Sequence, residues 1–213
     1  VFSSSATVYG KPQFLPFTED HPSGQNILNP YGYSKYFCEQ IIKDVSFSIP
    51  NMQAIILRYF NPIGSHPSGL IGEDPLGIPN NLAPYITKVA IGQIPKIKVF
   101  GTDYPTKDGS GVRDYIHVCD LAAGHVAALA LEDSGVHAFN LGTGKGTSVF
   151  ELIGAFEKSI GRKLPIELCN RRPGDLPSYW ASISNAQLNL SWQPQLSIET
   201  ACEDMMAWAH SNV

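Results

Sequence analysis

The sequence predicts an α/β fold with a parallel sheet, and three observations support that prediction. Segments with the apolar pattern of strands alternate with segments of helical spacing along the chain. Residues 52–60 (MQAIILRYF) form a short run rich in isoleucine, which is typical of a strand buried on both faces of a parallel sheet. The 213 residues are 43% apolar, which is enough to bury a sizeable core in one domain or two small ones.

The first third of the chain predicts a strand, a loop, a helix and a second strand. Val1 and Phe2 are interpreted as the tail of a buried strand that runs into three serines. A proline-rich loop follows and ends at Asn29, a good helix N-cap, and Pro30, which suits the first helical position. Apolar residues then recur at helical spacing to about residue 46, before the strand at 52–60.

The remaining elements are predicted from the same rules of periodicity and capping. Residues 64–79, rich in glycine and proline, predict an extended loop. Asp120 is expected to cap an alanine-rich helix. Residues 142–146 (GTGKG) are interpreted as a turn, because a phosphate loop would need the GK[ST] ending. The other predicted helices are 82–91, 121–131, 148–160, a short one from 185, and 198–210, and the other strands are 96–100, 114–118, 137–141 and 165–168.

Charge and cysteine usage exclude several classes of function. The formal charge of −4 offers no basic stripe for a phosphodiester backbone, so we expect no nucleic-acid binding. The four cysteines are far apart and show no metal-ligand spacing against the six histidines, which predicts reduced thiols, a cytoplasmic protein and no metal. No apolar run approaches the roughly 20 residues that cross a bilayer, so no membrane association is expected.

Tyr31 and Lys35 lie one helical turn apart, so both side chains project from the same face near the start of the predicted helix. A free tyrosine has a pKa of about 10 and is a poor base at neutral pH. A positive charge about 4 Å from a phenol favours the phenolate by about 4 kcal/mol at an effective dielectric of about 20. The pair is therefore a candidate for proton transfer, with an ordinary surface pair as the alternative.

Six motifs along the chain carry a resemblance to a known family. They resemble the UDP-galactose 4-epimerases of the extended short-chain dehydrogenase/reductase family, and they occur in order over nearly the whole chain. The motifs are SSSATVYG at residues 3–10, NPYGYSK at 29–35, LRYFNP at 57–62, GIPNNLAPY at 77–85, GVRDYIHV at 111–118 and RRPGD at 171–175.

The resemblance implies that Ser5, Tyr31 and Lys35 act with tightly held NAD on UDP-galactose and UDP-glucose. Tyr31 would take the proton of the sugar 4-hydroxyl, which Ser5 would hydrogen-bond, while hydride passes from C4 to NAD. Return of the hydride to the other face of the 4-keto sugar would invert C4. The implied NAD contacts are Ser3, Tyr31, Lys35 and Phe60, and the implied UDP-sugar contacts are Ser5, Asn61, Asn80, Asn81, Leu82, Phe100, Arg113, Tyr115, Arg172, Asp175 and Tyr179.

The resemblance also implies a division of the fold. Residues 1–62 and 118–145 would be the C-terminal part of a doubly wound (Rossmann-type) parallel sheet, and residues 63–117 and 146–213 a smaller mixed α/β domain that binds the UDP-sugar. The family's Gly-rich dinucleotide fingerprint has no counterpart in this sequence, which starts at Val1. We therefore expect the N-terminal cofactor-binding part to be missing, this chain alone to be inactive, and the full-length protein to be a homodimer built partly on the Tyr31 helix.

Several alternatives remain open at this point. Related nucleotide-sugar 4,6-dehydratases typically carry acidic residues where this chain has Ala6 and Thr7, and the GIPNNL segment disfavours the related decarboxylases. A non-catalytic nucleotide-sugar-binding remnant would need no base. The arginines at 113 and 172 are also compatible with ion pairs to Asp114 and Asp175. The aromatic rings at 100 and 115 are compatible with core packing. His66 and His117 are compatible with loop and core hydrogen bonds.

Overall fold

The computed structural model describes residues 1–212 as an α/β protein with parallel sheets, which confirms the predicted fold class. The helices are α1 (Pro30–Ser48), α2 (Leu82–Ala90), α3 (Val118–Leu129), α4 (Val149–Ile160), α5 (Ser184–Leu190) and α6 (Ile198–Asn212), with a 3-10 turn at Ala6–Tyr9. The strands are β1 (Phe2–Ser5), β2 (Gln53–Tyr59), β3 (Asn61–Ile63), β4 (Ile97–Phe100), β5 (Val112–Arg113), β6 (Tyr115–His117), β7 (Gly135–Leu141), β8 (Thr147–Ser148) and β9 (Ile166–Cys169).

A three-stranded parallel sheet has the strand order β1-β2-β7, so it pairs two strands from the first 59 residues with one from residues 135–141. Its central strand β2 is buried because it has a neighbour on each edge and apolar side chains on both faces. Leu57 and Phe139 of this sheet pack in one apolar cluster with Leu121 of α3 and with Ala186 and Leu190 of α5. The sheet is therefore covered by helices from the second half of the chain.

A second apolar cluster lies among α2, α4 and α6. Ile86, Phe156 and Met205 represent the three helices in this cluster, and Val99 of β4 joins it. Three strand pairs complete the fold: β3 with β6 and β4 with β9 are parallel, while β5 with β8 is antiparallel. The division into two domains made from the sequence stays a prediction.

Helix α1 begins as predicted, but its apolar residues face outward. The Asn29 side chain accepts a hydrogen bond from the Gly32 amide at 2.7 Å, and Pro30 occupies the first turn. Phe37 is 59% and Ile41 61% exposed, whereas Glu39 is fully buried. The apolar periodicity predicts a helix correctly, but it does not reveal that the helix buries a carboxylate.

The predicted cap of helix α3 is wrong. His117 occupies the N-cap and its ring nitrogen Nδ1 accepts from the Cys119 amide at 3.0 Å, so the helix starts at Val118. Asp120 lies inside the first turn, where its carboxylate accepts from the amides of Gln195 at 3.0 Å and Leu196 at 2.8 Å. Asp120 thus joins two chain segments that are distant in sequence.

Among residues 1–212, no helix is both long and apolar enough to cross a bilayer.

A buried ion pair joins α1 to the sheet. Arg58 of β2 donates from Nη2 to Glu39 at 2.7 Å and from Nε at 3.1 Å, and the Ser4 hydroxyl of β1 donates to the same carboxylate at 2.5 Å. The remaining guanidinium nitrogen donates to the Tyr9 hydroxyl at 3.0 Å. Burial raises the pKa of Tyr9 to about 12, so the phenol stays protonated and donates to Asn140 of β7 at 2.6 Å.

We predict that Glu39→Ala destabilises the protein by about 3–5 kcal/mol, because it leaves the Arg58 charge buried without its partner. The control is Lys107→Met, which breaks the Lys107–Glu151 pair at a lysine 85% exposed and should cost less than about 1 kcal/mol. Urea unfolding followed by circular dichroism measures both. Equal losses in the two variants would contradict the importance assigned to the buried pair.

Candidate functional site

A cleft of about 770 Å³ opens between the carboxyl ends of β1 and β2, the first turns of α1 and α2, and the β4 region. Parallel sheets commonly bind ligands at this edge. Most of the residues implied by the resemblance line it, which brings together segments far apart in sequence. These residues are Ser5, Tyr31, Phe60, Asn61, Asn80, Asn81, Leu82, Phe100, Arg113, Tyr115, Arg172, Asp175 and Tyr179.

Ser5 ends β1 and caps the 3-10 turn that follows. Its hydroxyl oxygen accepts from the Thr7 amide at 3.3 Å and from the Thr7 hydroxyl at 3.0 Å. Because both of these bonds use oxygen lone pairs, the Ser5 proton remains available to donate to a ligand. Thr7 also lines the cleft, and the sequence analysis did not select it.

Tyr31 reaches the cleft because α1 packs closely on this turn. A Cβ at Gly32 would lie 2.7 Å from the Ile27 side chain and 3.1 Å from the Thr7 carbonyl oxygen, so only glycine permits the approach. The Tyr31 side chain is 55% exposed. It therefore lies at the cleft wall with its phenol accessible to a ligand.

Lys35 lies behind Tyr31 and does not itself line the cleft. Its Nζ is 5.6 Å from the centroid of the Tyr31 ring and donates to the Ser3 carbonyl oxygen at 2.8 Å. The lysine charge is thus fixed beside the phenol, one helical turn away, as the spacing predicted. Ser3 also lies outside the cleft lining.

Tyr59 links Ser3 to α3 through two hydrogen bonds. Its hydroxyl contacts the Ser3 hydroxyl at 2.6 Å and the ring nitrogen Nε2 of His125. The other ring nitrogen of His125, Nδ1, lies 2.8 Å from the Leu121 carbonyl oxygen. Burial raises the pKa of Tyr59. Tyr59 lies within the LRYFNP motif, but the sequence alone did not select it.

The cleft lining also carries a guanidinium paired with a carboxylate. Arg113 forms an ion pair with Asp175 and donates to the Val112 carbonyl oxygen at 2.8 Å, and its guanidinium carbon lies 4.7 Å above the Tyr179 ring. The Tyr179 hydroxyl donates to the Asn61 side chain at 3.0 Å. Burial raises the pKa of Tyr179, and the Arg113 charge opposes that effect.

Arg172 makes a different contact from the one suggested by the sequence. Its guanidinium carbon lies 3.9 Å from the centroid of the Phe100 ring, a cation–π stack, instead of in an ion pair with Asp175. Lys98 precedes Phe100 by two residues on β4 and also lines the cleft, which the sequence analysis missed. The cleft lining within the described residues thus holds three cations and one carboxylate.

Asp114 organises the GTGKG turn. Its buried carboxylate accepts from the Thr143 amide at 2.7 Å, the Thr143 hydroxyl at 2.6 Å, the Gly144 amide at 3.1 Å and the Ala181 amide at 3.1 Å. The suggested Asp114–Arg113 pair is therefore wrong. Two amides of the turn are already bonded to a carboxylate, so residues 142–146 form a structural turn and not a phosphate loop, as predicted.

Three further predicted residues lie at the start of α2. Asn81 occupies the N-cap position without a side-chain capping bond, and its amide remains open to the cleft beside Asn80 and Leu82.

Tyr115 is 7% exposed, and burial raises its pKa. Residues 1–212 contain no group of three or more His, Cys, Asp or Glu side chains placed to hold a metal ion. His66 bonds Ser68 in its loop and His117 bonds Asp204 at 3.1 Å.

Comparisons with known proteins agree on one family. A family model described as GDP-mannose 4,6 dehydratase matches residues 1–205. A relative from Arabidopsis thaliana, bifunctional UDP-glucose 4-epimerase and UDP-xylose 4-epimerase 3, is 54% identical over 100% of this chain and 61% of its own length. UDP-glucose 4-epimerase from Bacillus subtilis is 53% identical over 100% of this chain and 63% of its own length. The chain thus spans less than two thirds of these relatives.

Solved structures give the same result. UDP-glucose 4-epimerase from Bifidobacterium longum in complex with NAD+ and UDP superposes with a TM-score of 0.95 at 51% identity, covering 99% of this chain and 63% of that one. The UDP-Glc/GlcNAc 4-epimerase from Campylobacter jejuni superposes with a TM-score of 0.80 at 36% identity, covering 99% of this chain and 64% of that one.

Proposed function

The chain belongs to the family whose model is described as GDP-mannose 4,6 dehydratase. Because its relatives at more than 50% identity are UDP-glucose 4-epimerases, we propose that its complete gene product is an NAD-dependent UDP-glucose 4-epimerase. The reaction is the reversible inversion of C4 in a UDP-hexose, between UDP-galactose and UDP-glucose. The observation that carries the proposal is that one cleft is lined by Ser5, Tyr31 and two guanidinium groups, with Lys35 Nζ 5.6 Å from the centroid of the Tyr31 ring.

The groups around Tyr31 fit the ribose and nicotinamide of NAD. Lys35 Nζ and the hydroxyls of Ser3 and Tyr59 cluster on one side of Tyr31, and Phe60 offers an apolar ring beside them. These donors and acceptors match a diol, and the ring matches a flat heterocycle. Bound NAD supplies a hydride acceptor at the start of the reaction and a hydride donor at its end.

The chain's own residues handle the proton and the substrate. Tyr31 takes the proton from the 4-hydroxyl of the sugar and later returns it, while Lys35 places a positive charge 5.6 Å from the centroid of its ring. Ser5 donates its free proton to the oxygen at C4 and holds it in place. Arg113 and Arg172 bind the diphosphate through their planar forks of donors, and Asp175 accepts from the ribose hydroxyls.

Loss of water from the sugar, the reaction of the related dehydratases, is the less favoured alternative. That elimination needs an acid and a base beside C5 and C6, in addition to the tyrosine. Among the described residues that line the cleft, Asp175 is the one carboxylate, and Arg113 already pairs with it. Thr7, where dehydratases typically carry an acid, donates its hydroxyl proton to Ser5.

We further propose a cytoplasmic location, since Cys38, Cys119, Cys169 and Cys202 are all free thiols. Free thiols persist in a reducing compartment.

The protein purified from its whole gene should carry NAD, detected by mass spectrometry after denaturation, and should convert UDP-galactose to UDP-glucose. A protein that holds no NAD and leaves UDP-galactose unchanged would contradict the proposed function and favour a nucleotide-sugar-binding protein.

Tyr31→Phe is expected to lower kcat by about a hundredfold to ten-thousandfold, because it removes the proton acceptor. Affinity for UDP should stay within about twofold, since Tyr31 is not among the groups proposed to bind the diphosphate. The control is Tyr36→Phe on the same helix, whose ring packs against the apolar cluster around Val8 and Phe17. A Tyr31→Phe enzyme that turns over at the normal rate would refute the assignment of the base.

Tyr179 is proposed to limit the size of the sugar. Its ring lies between Phe60, at 5.9 Å, and the Arg113 guanidinium, so it is not free to swing out of the cleft. Tyr179→Ser should raise kcat/KM for UDP-N-acetylglucosamine relative to UDP-galactose by about tenfold or more. Tyr179→Phe keeps the ring and should keep the discrimination. Efficient use of UDP-N-acetylglucosamine by the unaltered enzyme would remove this proposal.

We also propose that the complete protein forms a homodimer through α1. Tyr33, Phe37, Ile41 and Val45 recur every four residues and form one stripe, and each is at least 40% exposed. Contiguous exposed apolar stripes of this kind mark interfaces. A second copy of the same stripe, related by a two-fold axis, would cover it.

Ile41→Asp should convert the dimer into a monomer, because it places a charge in the centre of the apolar stripe. The matched control is Leu188→Asp, which alters an 81% exposed leucine on α5, away from the stripe. Size-exclusion chromatography with light scattering measures the mass of both variants. A monomeric unaltered protein, or a dimer that survives Ile41→Asp, would contradict the proposed interface.

A further inference from the structure

Arg172 stacks on Phe100 inside the cleft that is proposed to bind a UDP-sugar. The guanidinium carbon lies 3.9 Å from the centroid of the Phe100 ring, and both side chains line the cleft. A guanidinium at this distance is in van der Waals contact with the ring face. No planar group can therefore stack on the same face until Arg172 moves away.

A nucleoside diphosphate presents three groups that can bind near Arg172 and Phe100 in the cleft. Its base stacks on an aromatic ring, its diphosphate needs guanidinium donors, and its ribose diol can donate to a carboxylate. Phe100 can stack on the base, the two cleft arginines can bind the diphosphate, and Asp175 can accept from the ribose. The base and the Arg172 guanidinium thus both fit the Phe100 ring.

The two arginines differ in their freedom to move. Arg113 is 14% exposed at its side chain and is bound to Asp175 and to the Val112 carbonyl oxygen. Arg172 is exposed and lies in the segment after β9, two residues before Gly174, whose backbone has φ +77. Arg113 is therefore a fixed cation, whereas Arg172 can leave its ring with few contacts to break.

We propose that Arg172 and the uracil base compete for one face of Phe100, so that nucleotide binding exchanges the arginine stack for a base stack. This inference rests on the proposed function. The displaced guanidinium then binds the diphosphate of the same ligand, which compensates for the stack that it has lost. A bare nucleoside must displace Arg172 without offering it a new partner, so the arrangement selects UDP and UDP-sugars against uridine.

The test compares uridine and UDP binding to the complete gene product and to Arg172→Ala. The inference predicts opposite signs: uridine binds Arg172→Ala about twofold to fivefold more tightly, because its competitor is gone. UDP binds the same variant about tenfold or more weakly, because a diphosphate donor is gone. Titration calorimetry gives the UDP affinity, and displacement of UDP gives the uridine affinity.

Two further variants complete the design. Arg171→Ala is the matched control: that arginine stacks on Tyr104 at 4.2 Å and donates to Asp103 at 2.7 Å, away from the cleft lining, so both affinities should stay unchanged. Arg172→Lys keeps the charge without the planar group, and it should lose less UDP affinity than Arg172→Ala.

The outcomes separate this inference from the proposed function. An unaltered protein that binds UDP, together with an Arg172→Ala variant whose uridine affinity is unchanged or weaker, would overturn the competition for Phe100 alone. An unaltered protein that binds no UDP would contradict the proposed function and the inference with it.

Discussion

The buried contact between Arg58 and Glu39 fixes the position of the helix that carries Tyr31. Arg58 lies on the central strand, Glu39 on α1, and Ser4 on the edge strand adds a third hydrogen bond to the same carboxylate. A buried charge without its partner is costly, so α1 cannot shift along the sheet without losing these bonds. Gly32 then sets the final approach, because it lets the first turn of α1 touch the turn after Ser5. The catalytic geometry proposed for Ser5 and Tyr31 thus depends on Arg58, Glu39 and Gly32, which do not line the cleft.

The side chains that line the cleft carry more positive than negative charge, although the chain has a formal charge of −4. The lining combines the hydroxyls of Ser5 and Tyr31 with the cations of Arg113, Arg172 and Lys98 and the carboxylate of Asp175. The proposed UDP-sugar would place its diphosphate at these cations and its sugar toward Tyr31. For binding a diphosphate, the placement of these few cations in the cleft therefore matters more than the net charge of the chain.

Local rules predicted the elements well because they rest on local chemistry. Asn29 and Pro30 begin α1 as expected, and the isoleucine-rich run at 52–60 is the buried central strand. The order of the motifs also indicated which distant residues meet in the cleft, although the role of each in catalysis stays a prediction.

The failures concern the choice of partner, which only the folded chain decides. Asp120 has the chemistry of a cap but bonds the amides of residues 195 and 196, and Arg113 chooses Asp175 over its neighbour Asp114. Likewise, no local pattern showed that Arg172 stacks on Phe100 or that Tyr59 meets His125. Each of these contacts joins segments distant in sequence, so spacing carries no information about it.

The fate of a label at C4 tests the central claim most directly. UDP-galactose carrying deuterium at C4 is incubated with the complete enzyme in ordinary water, and the UDP-glucose formed is analysed by proton NMR and mass spectrometry. Removal and return of the same hydride at C4, with Tyr31 handling only the hydroxyl proton, predicts that the product retains the deuterium at C4. A product with hydrogen from water at C4, or one that has lost the oxygen at C6, would contradict the account.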